Sequence, residues 1–319
     1  MNGERLLHSI QSGHAPHAVL ITGPAGVGRR ALARRAAALF CLSEDAPERL
    51  GRCPDYTEVS GDGVSVAEIR ALTASTNVRS FTGGGKAYLV TDAHLMGPDA
   101  QNALLKTLEE PPSGTMLLLT GAEAGLLPTI RSRCAVERLG AMSVAALERR
   151  LTGGGMDAQK ARVLAAFADG IPGVAEEYAA EEAFALRLAA LDALDGLLLC
   201  TPPMADIAGW TAKKRGDEDV PYRKKSGFRN ARMVAAVWES MLHDALLASV
   251  GAPGCRNLDR TAQAAKFATH FTASQIEDMI EILAAAQQML YEYANPQFAL
   301  DTAAAQILCV VSGAKRNKE

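Results

Sequence analysis

Over the first part of the chain, short unbroken apolar runs alternate with amphipathic stretches. Ala18-Val19-Leu20-Ile21-Thr22 stops at Gly23 and predicts a buried strand. From Arg29 to Phe40, the residues Leu32, Ala36, Leu39 and Phe40 recur at steps of three and four, which predicts a helix. Tyr56 to Val59 predicts a second strand and Val66 to Thr76 a second helix. Lys86 to Thr91 predicts another strand, ending at Asp92. Pro98 suits a first helical turn. Asp99 to Glu110 continues as a helix with Ala100, Ala103, Leu104 and Leu108 on one face, and Pro111-Pro112 stops it. Met116 to Thr120 is the next strand. This alternation predicts an α/β domain with a mostly parallel sheet covered on both faces.

Beyond Gly140 the strand pattern disappears. Residues 143–182 read as short helices broken at Gly153-Gly154-Gly155 and at Gly170-Ile171-Pro172-Gly173. Longer helices are predicted at 183–200, 230–250, 274–293 and 296–312. Trp238, Met241, Leu242, Ala245 and Leu246 form an apolar stripe in the second of these, to be read residue by residue as core. The expected organisation is an α/β domain over 1–141, a small helical domain over 142–182 and a helical domain over 183–319.

The 319 residues are 48% hydrophobic and 22% charged, the composition of a globular chain and not a disordered one. A net charge of −3 argues against attachment to nucleic acid by global charge. The clusters Lys213-Lys214-Arg215 and Arg223-Lys224-Lys225 leave a local phosphate contact open, against the simpler reading of a solvated face. No apolar run reaches the ~18 residues of a membrane span, and MNGERLLHSI lacks the apolar core of a signal peptide. Six scattered cysteines without a C-x-x-C pair predict reduced thiols and a cytoplasmic location.

Candidate chemistry lies at Gly23 to Arg30, GPAGVGRR. Gly23, Gly26 and Gly28 follow a strand and precede a helix, the context in which backbone N–H groups wrap a phosphate. A tight strand-to-helix turn is the plainer alternative. A working loop ends in Lys and then Ser or Thr, which reach the terminal phosphates and the magnesium ion. Here Arg29 and Arg30 hold those places. Arginine does not replace a compact ammonium, and Arg30 is expected to put positive charge where the cation should sit. Asp92 stands where a metal-binding carboxylate would, but Ala93 follows where a glutamate would activate water. His94 is a weak substitute base and more simply a loop residue. Together these gaps predict a degenerate nucleotide site that neither binds nor hydrolyses ATP.

Several segments together resemble the clamp-loader branch of the AAA+ proteins: His17 to Pro24, Lys86 to His94, NALLKTLEEPP over Asn102 to Pro112, and TIRSRC over Thr129 to Cys134. Within it, the damaged loop, Ala93 and the arginine-free Gly170-Ile171-Pro172-Gly173 resemble the delta-prime type and not the tau/gamma ATPases. The resemblance implies a RecA-like AAA+ domain over 1–141, a lid over 142–182 and an oligomerising collar over 183–319. It implies partners: tau/gamma ATPase subunits, a delta subunit and, through the complex, the sliding clamp and primed DNA. It also implies that Arg133 of Ser132-Arg133-Cys134 is lent to a neighbour's ATP site, with Arg131 the local alternative and plain pairing with acidic groups or solvent the simpler one. Family members usually carry a four-cysteine zinc module after the first helix. Here only Cys41 and Cys53 fall there, too few for tetrahedral zinc, so no metal is expected. Cys134 has no His-Asp arrangement beside it and reads as a small packed thiol. Two other readings stand open: a divergent tau/gamma-type ATPase, and an AAA+-fold binding protein outside replication.

Overall fold

A computed structural model describes residues 3–199, 207–212, 226–292 and 294–316; the basic clusters at 213–215 and 223–225 lie outside the described residues. The chain divides into two compact units, 1–141 with 171–173, and 142–170 with 174–319.

The first unit is built on five strands: β1 (Ala18–Thr22), β2 (Tyr56–Ser60), β3 (Lys86–Thr91), β4 (Thr115–Thr120) and β5 (Ala135–Arg138). They pair in the order β2-β3-β4-β1-β5, and every pairing is parallel. Each crossover carries helical structure: α2 (Arg29–Leu42) after β1, α3 (Val66–Ser75) after β2, α4 (Pro98–Glu109) after β3 and α5 (Pro128–Arg131) after β4. The period of two along β1 sorts its side chains. Val19 and Ile21 face one core with Leu32 and Ala36 of α2, while Ala18 and Leu20 face the other with Leu104 and Leu108 of α4. This is the two-faced α/β domain that the apolar runs predict.

Among the elements that go beyond the sequence reading, α1 and β5 matter for the loop. The helix α1 (Glu4–Gln11) adds Leu6, Leu7 and Ile10 to the α2 face. The strand β5 sits at the sheet edge, is only four residues long and is largely exposed, so it has no apolar run to reveal it. Its pairing to β1 sets Leu139 N–H on the carbonyl of Thr22 at 2.8 Å, which closes the base of the phosphate-loop turn.

The described part of the second unit is helical: α6 (Val144–Gly153), α7 (Ala158–Phe167), α8 (Pro172–Glu177, whose first two residues belong to the first unit), α9 (Glu181–Leu199), α10 (Ile207–Thr211), α11 (Ser226–Ser249), α12 (Thr261–His270), α13 (Ala273–Tyr291) and α14 (Pro296–Arg316). One apolar core runs from Leu147 in α6 to Val311 in α14, so no break in the interior falls at 182/183. Trp238 is fully enclosed and donates its indole N–H to the carbonyl of Ala190 at 2.8 Å, so the stripe on α11 is core. Arg187 is also fully enclosed. Its guanidinium donates to both carboxylate oxygens of Asp259 at 2.8 Å and to Asn257 at 2.9 Å, and it lies 5.0 Å from the ring centroid of Phe167. No helix among the described residues is long and apolar enough to cross a membrane.

Candidate functional site

The carboxyl end of β1 turns sharply at Gly23. Its φ is 137°, and a Cβ there would lie 2.2 Å from the carbonyl oxygen of Leu139, so the turn accepts only glycine. Gly26 and Gly28 also take positive φ, and the loop ends at the start of α2. The phosphate-loop backbone is therefore present. What fills it is Arg29. One arm of its guanidinium donates to the carbonyl of Gly23 at 3.3 Å, and the other lies 3.5 Å from the Asp92 carboxylate. The Arg29 side chain is 13% exposed, whereas that of Asp92 is 47% exposed. The carboxylate that would serve a metal is paired with the chain's own cation.

Arg30 corrects one expectation. Its charge does not stand at the metal place; its Nε contacts Glu58 on β2 at 2.6 Å. The physical reason is helix geometry and side-chain length: consecutive residues of α2 point about 100° apart, so when one long arginine faces the loop the other is carried away from it, whereas a short Ser or Thr hydroxyl at the second position would stay beside the loop backbone. Arg30 reaches Glu58, whose second oxygen accepts from the Tyr56 hydroxyl at 2.7 Å.

The two residues after Asp92 are packed inward. Ala93 is fully buried against the core under α4, so the place of the water-activating glutamate lies in apolar packing. His94 is half-buried and its Nδ1 is enclosed without a partner. Burial pushes its pKa down, with Asp92 pulling up and Arg29 pushing further down, so the ring is neutral at physiological pH. Beside the loop, the backbone N–H of Gly173 donates to the carbonyl of Gly26 at 2.8 Å, and a Cβ on Gly173 would lie 2.7 Å from the Gly26 Cα. The glycine of the arginine-free stretch is thus a close-approach point.

The SRC stretch lies elsewhere, on a braced turn. Gln101 of α4 is buried; its amide donates to the carbonyls of Met96 and Gly125, both at 3.0 Å, and accepts from Leu127 N–H at 2.8 Å. Leu127 precedes α5, so the amide stitches α4 to the turn that carries the motif. Ser132 N–H donates to Pro128 at 3.0 Å and Arg133 N–H to Ile130 at 3.1 Å, which folds the motif back on α5. The Arg133 guanidinium donates to the carbonyl of Thr129 at 3.0 Å and to the Ser132 hydroxyl at 3.4 Å, and lies 2.7 Å from the Glu109 carboxylate. It remains 35% exposed. Arg131, the alternative, is half-buried with its Nε enclosed and unpartnered. Burial pushes the Cys134 thiol up to about 12, so it is no nucleophile at neutral pH.

Cys41 and Cys53 are both buried, and burial pushes the Cys41 thiol up to about 12. Among the described residues no group of three or more His, Cys, Asp or Glu is placed to hold a metal.

The family profile described as "DNA polymerase III, delta subunit" matches residues 3–143. Over these residues the first unit is similar to delta-prime-type clamp-loader subunits. Two relatives named DNA polymerase III subunit delta' bear on this. The one from Pseudomonas aeruginosa is 40% identical over 135 residues, covering 37% of this chain and 41% of the relative. The one from Escherichia coli is 37% identical over 153 residues, covering 43% and 46%. The DNA polymerase III subunit tau of Escherichia coli is similar at 33% over 160 residues, covering 46% of this chain and 25% of the relative. The chain thus spans under half the length of these three relatives. Among solved structures, a DNA polymerase III gamma subunit-related protein of Thermotoga maritima aligns over 98% of this chain at 16% identity, with a TM-score of 0.48.

In the first unit, the structure brings Gly23, Gly26, Gly28, Arg29 and Asp92 to one place and turns Arg30 away from it. Ser132, Arg133 and Cys134 form a second place on the α5 turn. Gln101 and Glu109 were not anticipated as parts of it. Both lie in the NALLKTLEEPP helix or just before that run, so its specificity carried a signal, but only the fold shows which partners they meet.

Proposed function

We propose that the protein is a non-hydrolysing, delta-prime-type subunit of the DNA polymerase III clamp loader. It stands as a stator in a ring with tau/gamma-type ATPase subunits and a delta subunit, and lends Arg133 to an ATP site on a neighbour. Through that complex it takes part in loading the sliding clamp on primed DNA in the cytoplasm. On its own it neither hydrolyses ATP nor polymerises DNA, and it needs neither zinc nor bound nucleotide.

The observation that carries this reading is the Arg29–Asp92 pair. A guanidinium in the loop opposes the lysine-and-magnesium arrangement that a phosphate requires, and buried Ala93 leaves no base for water. Arg133 needs no working site in its own chain. A fixed guanidinium opposite a γ-phosphate stabilises charge that grows in the transition state. Its turn is held by Gln101, α5 and backbone hydrogen bonds, which supports such presentation.

Two measurements test the reading. A fluorescent ATP analogue titrated into the pure chain is expected not to bind; micromolar, magnesium-dependent binding with turnover would make this a divergent ATPase. In a reconstituted complex, Arg133→Ala is expected to assemble normally and to lower DNA-stimulated ATP turnover at least tenfold at the site it serves. Unchanged turnover removes the role of Arg133. A pull-down that returns neither tau/gamma nor delta points to a binding protein outside replication.

A further inference from the structure

We infer that Glu109 is a positioning residue for Arg133: it holds the guanidinium in the resting chain and yields it to the phosphate of the neighbour's nucleotide. The inference rests on the reading of Arg133 as the lent arginine. Three acceptors surround that guanidinium. Thr129 and Ser132 belong to its own turn and hold Nη1 at 3.0 and 3.4 Å. Glu109 is the last residue of α4 and meets Nη2 at 2.7 Å. The first two fix where the side chain leaves the turn. The third supplies an anionic oxygen, the protein group nearest in charge and geometry to a phosphate oxygen.

Exposure decides whether the pair can be exchanged. The side chains of Arg133 and Glu109 are 35% and 50% exposed. An exposed pair contributes little, so a phosphate with more charge and a bidentate face can displace the carboxylate. The Arg187–Asp259 pair in the second unit is the contrast: its guanidinium is fully enclosed and its loss would strand a buried charge. Glu109 is also well placed to keep its distance from the turn. Gln101 on the same helix binds Leu127 N–H, so α4 and the motif are held together. The carboxylate therefore keeps Arg133 pointed and neutralised until a stronger anion arrives.

The physical consequence is a specific kinetic split. Neutralising Glu109 removes a competitor for the guanidinium in the ground state. Ground and transition states gain alike, which changes KM and leaves kcat near its former value.

The test uses a clamp loader assembled from cognate tau/gamma-type and delta-type subunits with this chain, and reads DNA-stimulated ATP turnover across ATP concentrations. Glu109→Gln is expected to lower the apparent KM for ATP about two- to fivefold. Glu109→Asp, which keeps the charge, should restore most of the original value. The difference should shrink at high salt, because the exposed pair is screened. Glu44→Gln, which breaks a surface pair with Arg49 on another part of the domain, should leave KM unmoved. An unchanged or raised KM in Glu109→Gln overturns the inference, as does a fall in kcat as large as that of Arg133→Ala. If Arg133→Ala itself has no effect, the finger assignment fails and Glu109 falls with it. A normal Arg133→Ala effect beside an unmoved KM removes the Glu109 role alone.

Discussion

Asp55 makes a quantitative prediction about the first unit. It follows Cys53-Pro54 and is 1% exposed, yet it carries charge. Four donors explain how. Its carboxylate accepts from the Thr82 hydroxyl at 2.7 Å, Thr82 N–H at 2.8 Å, Ser80 hydroxyl at 2.8 Å and Phe81 N–H at 2.9 Å. These donors belong to one loop, which holds the Phe81 side chain 76% exposed at its tip. Burial alone would push the pKa up; the hydrogen bonds outweigh it and bring it down from 3.8 to about 2. That difference corresponds to about 2 kcal/mol of folding stability. Because the folded pKa is depressed, the contribution is complete above about pH 4 and disappears as pH falls through about 2. Asp55→Asn keeps the shape but offers one acceptor oxygen in place of two. It is expected to cost about 2 kcal/mol at neutral pH, read as a lower urea midpoint for the first unit and faster hydrogen exchange at Phe81 and Thr82. The gap between wild type and variant should close on acidification from about pH 4 toward pH 2. A gap that stays constant across that range would falsify the assignment of the stability to the ionised carboxylate.

Three further outcomes follow from the same contacts. Arg29→Lys combined with Arg30→Thr restores the loop's phosphate and magnesium ligands; measurable magnesium-dependent ATP binding without turnover is expected, since Ala93 still supplies no base, and isothermal titration with a turnover assay checks both halves. Gln101→Leu strands Leu127 N–H and two carbonyls, so a loss of about 2–4 kcal/mol is expected in chemical denaturation, together with weaker stimulation through Arg133. Arg187→Met removes the guanidinium donors of the Asp259 carboxylate and of the Asn257 side-chain oxygen and should cost about 3–5 kcal/mol in the unfolding of the second unit; adding Asp259→Asn should recover part of it.

The sequence by itself determined the elements whose burial is uniform. β1, β3 and β4 are buried along their whole length, so each shows a continuous apolar run of four residues at its centre or start. It also determined the glycines of the loop, the missing lysine and the missing glutamate, because those depend on residue identity at fixed local spacing. Tertiary structure decided the rest. β5 is a short exposed edge strand that exists by pairing with β1, and α1 matters because it covers α2. Which of Arg29 and Arg30 faces Asp92 was set by the rotation of α2 against the sheet, and the structure chose Arg29. The pairing of Glu109 with Arg133 joins the end of one helix to the turn after another, as Gln101 joins Leu127. Local pattern fixes where a chain turns and which face it buries; side chains far apart in sequence meet only when packing has set the distance and direction between the elements that carry them.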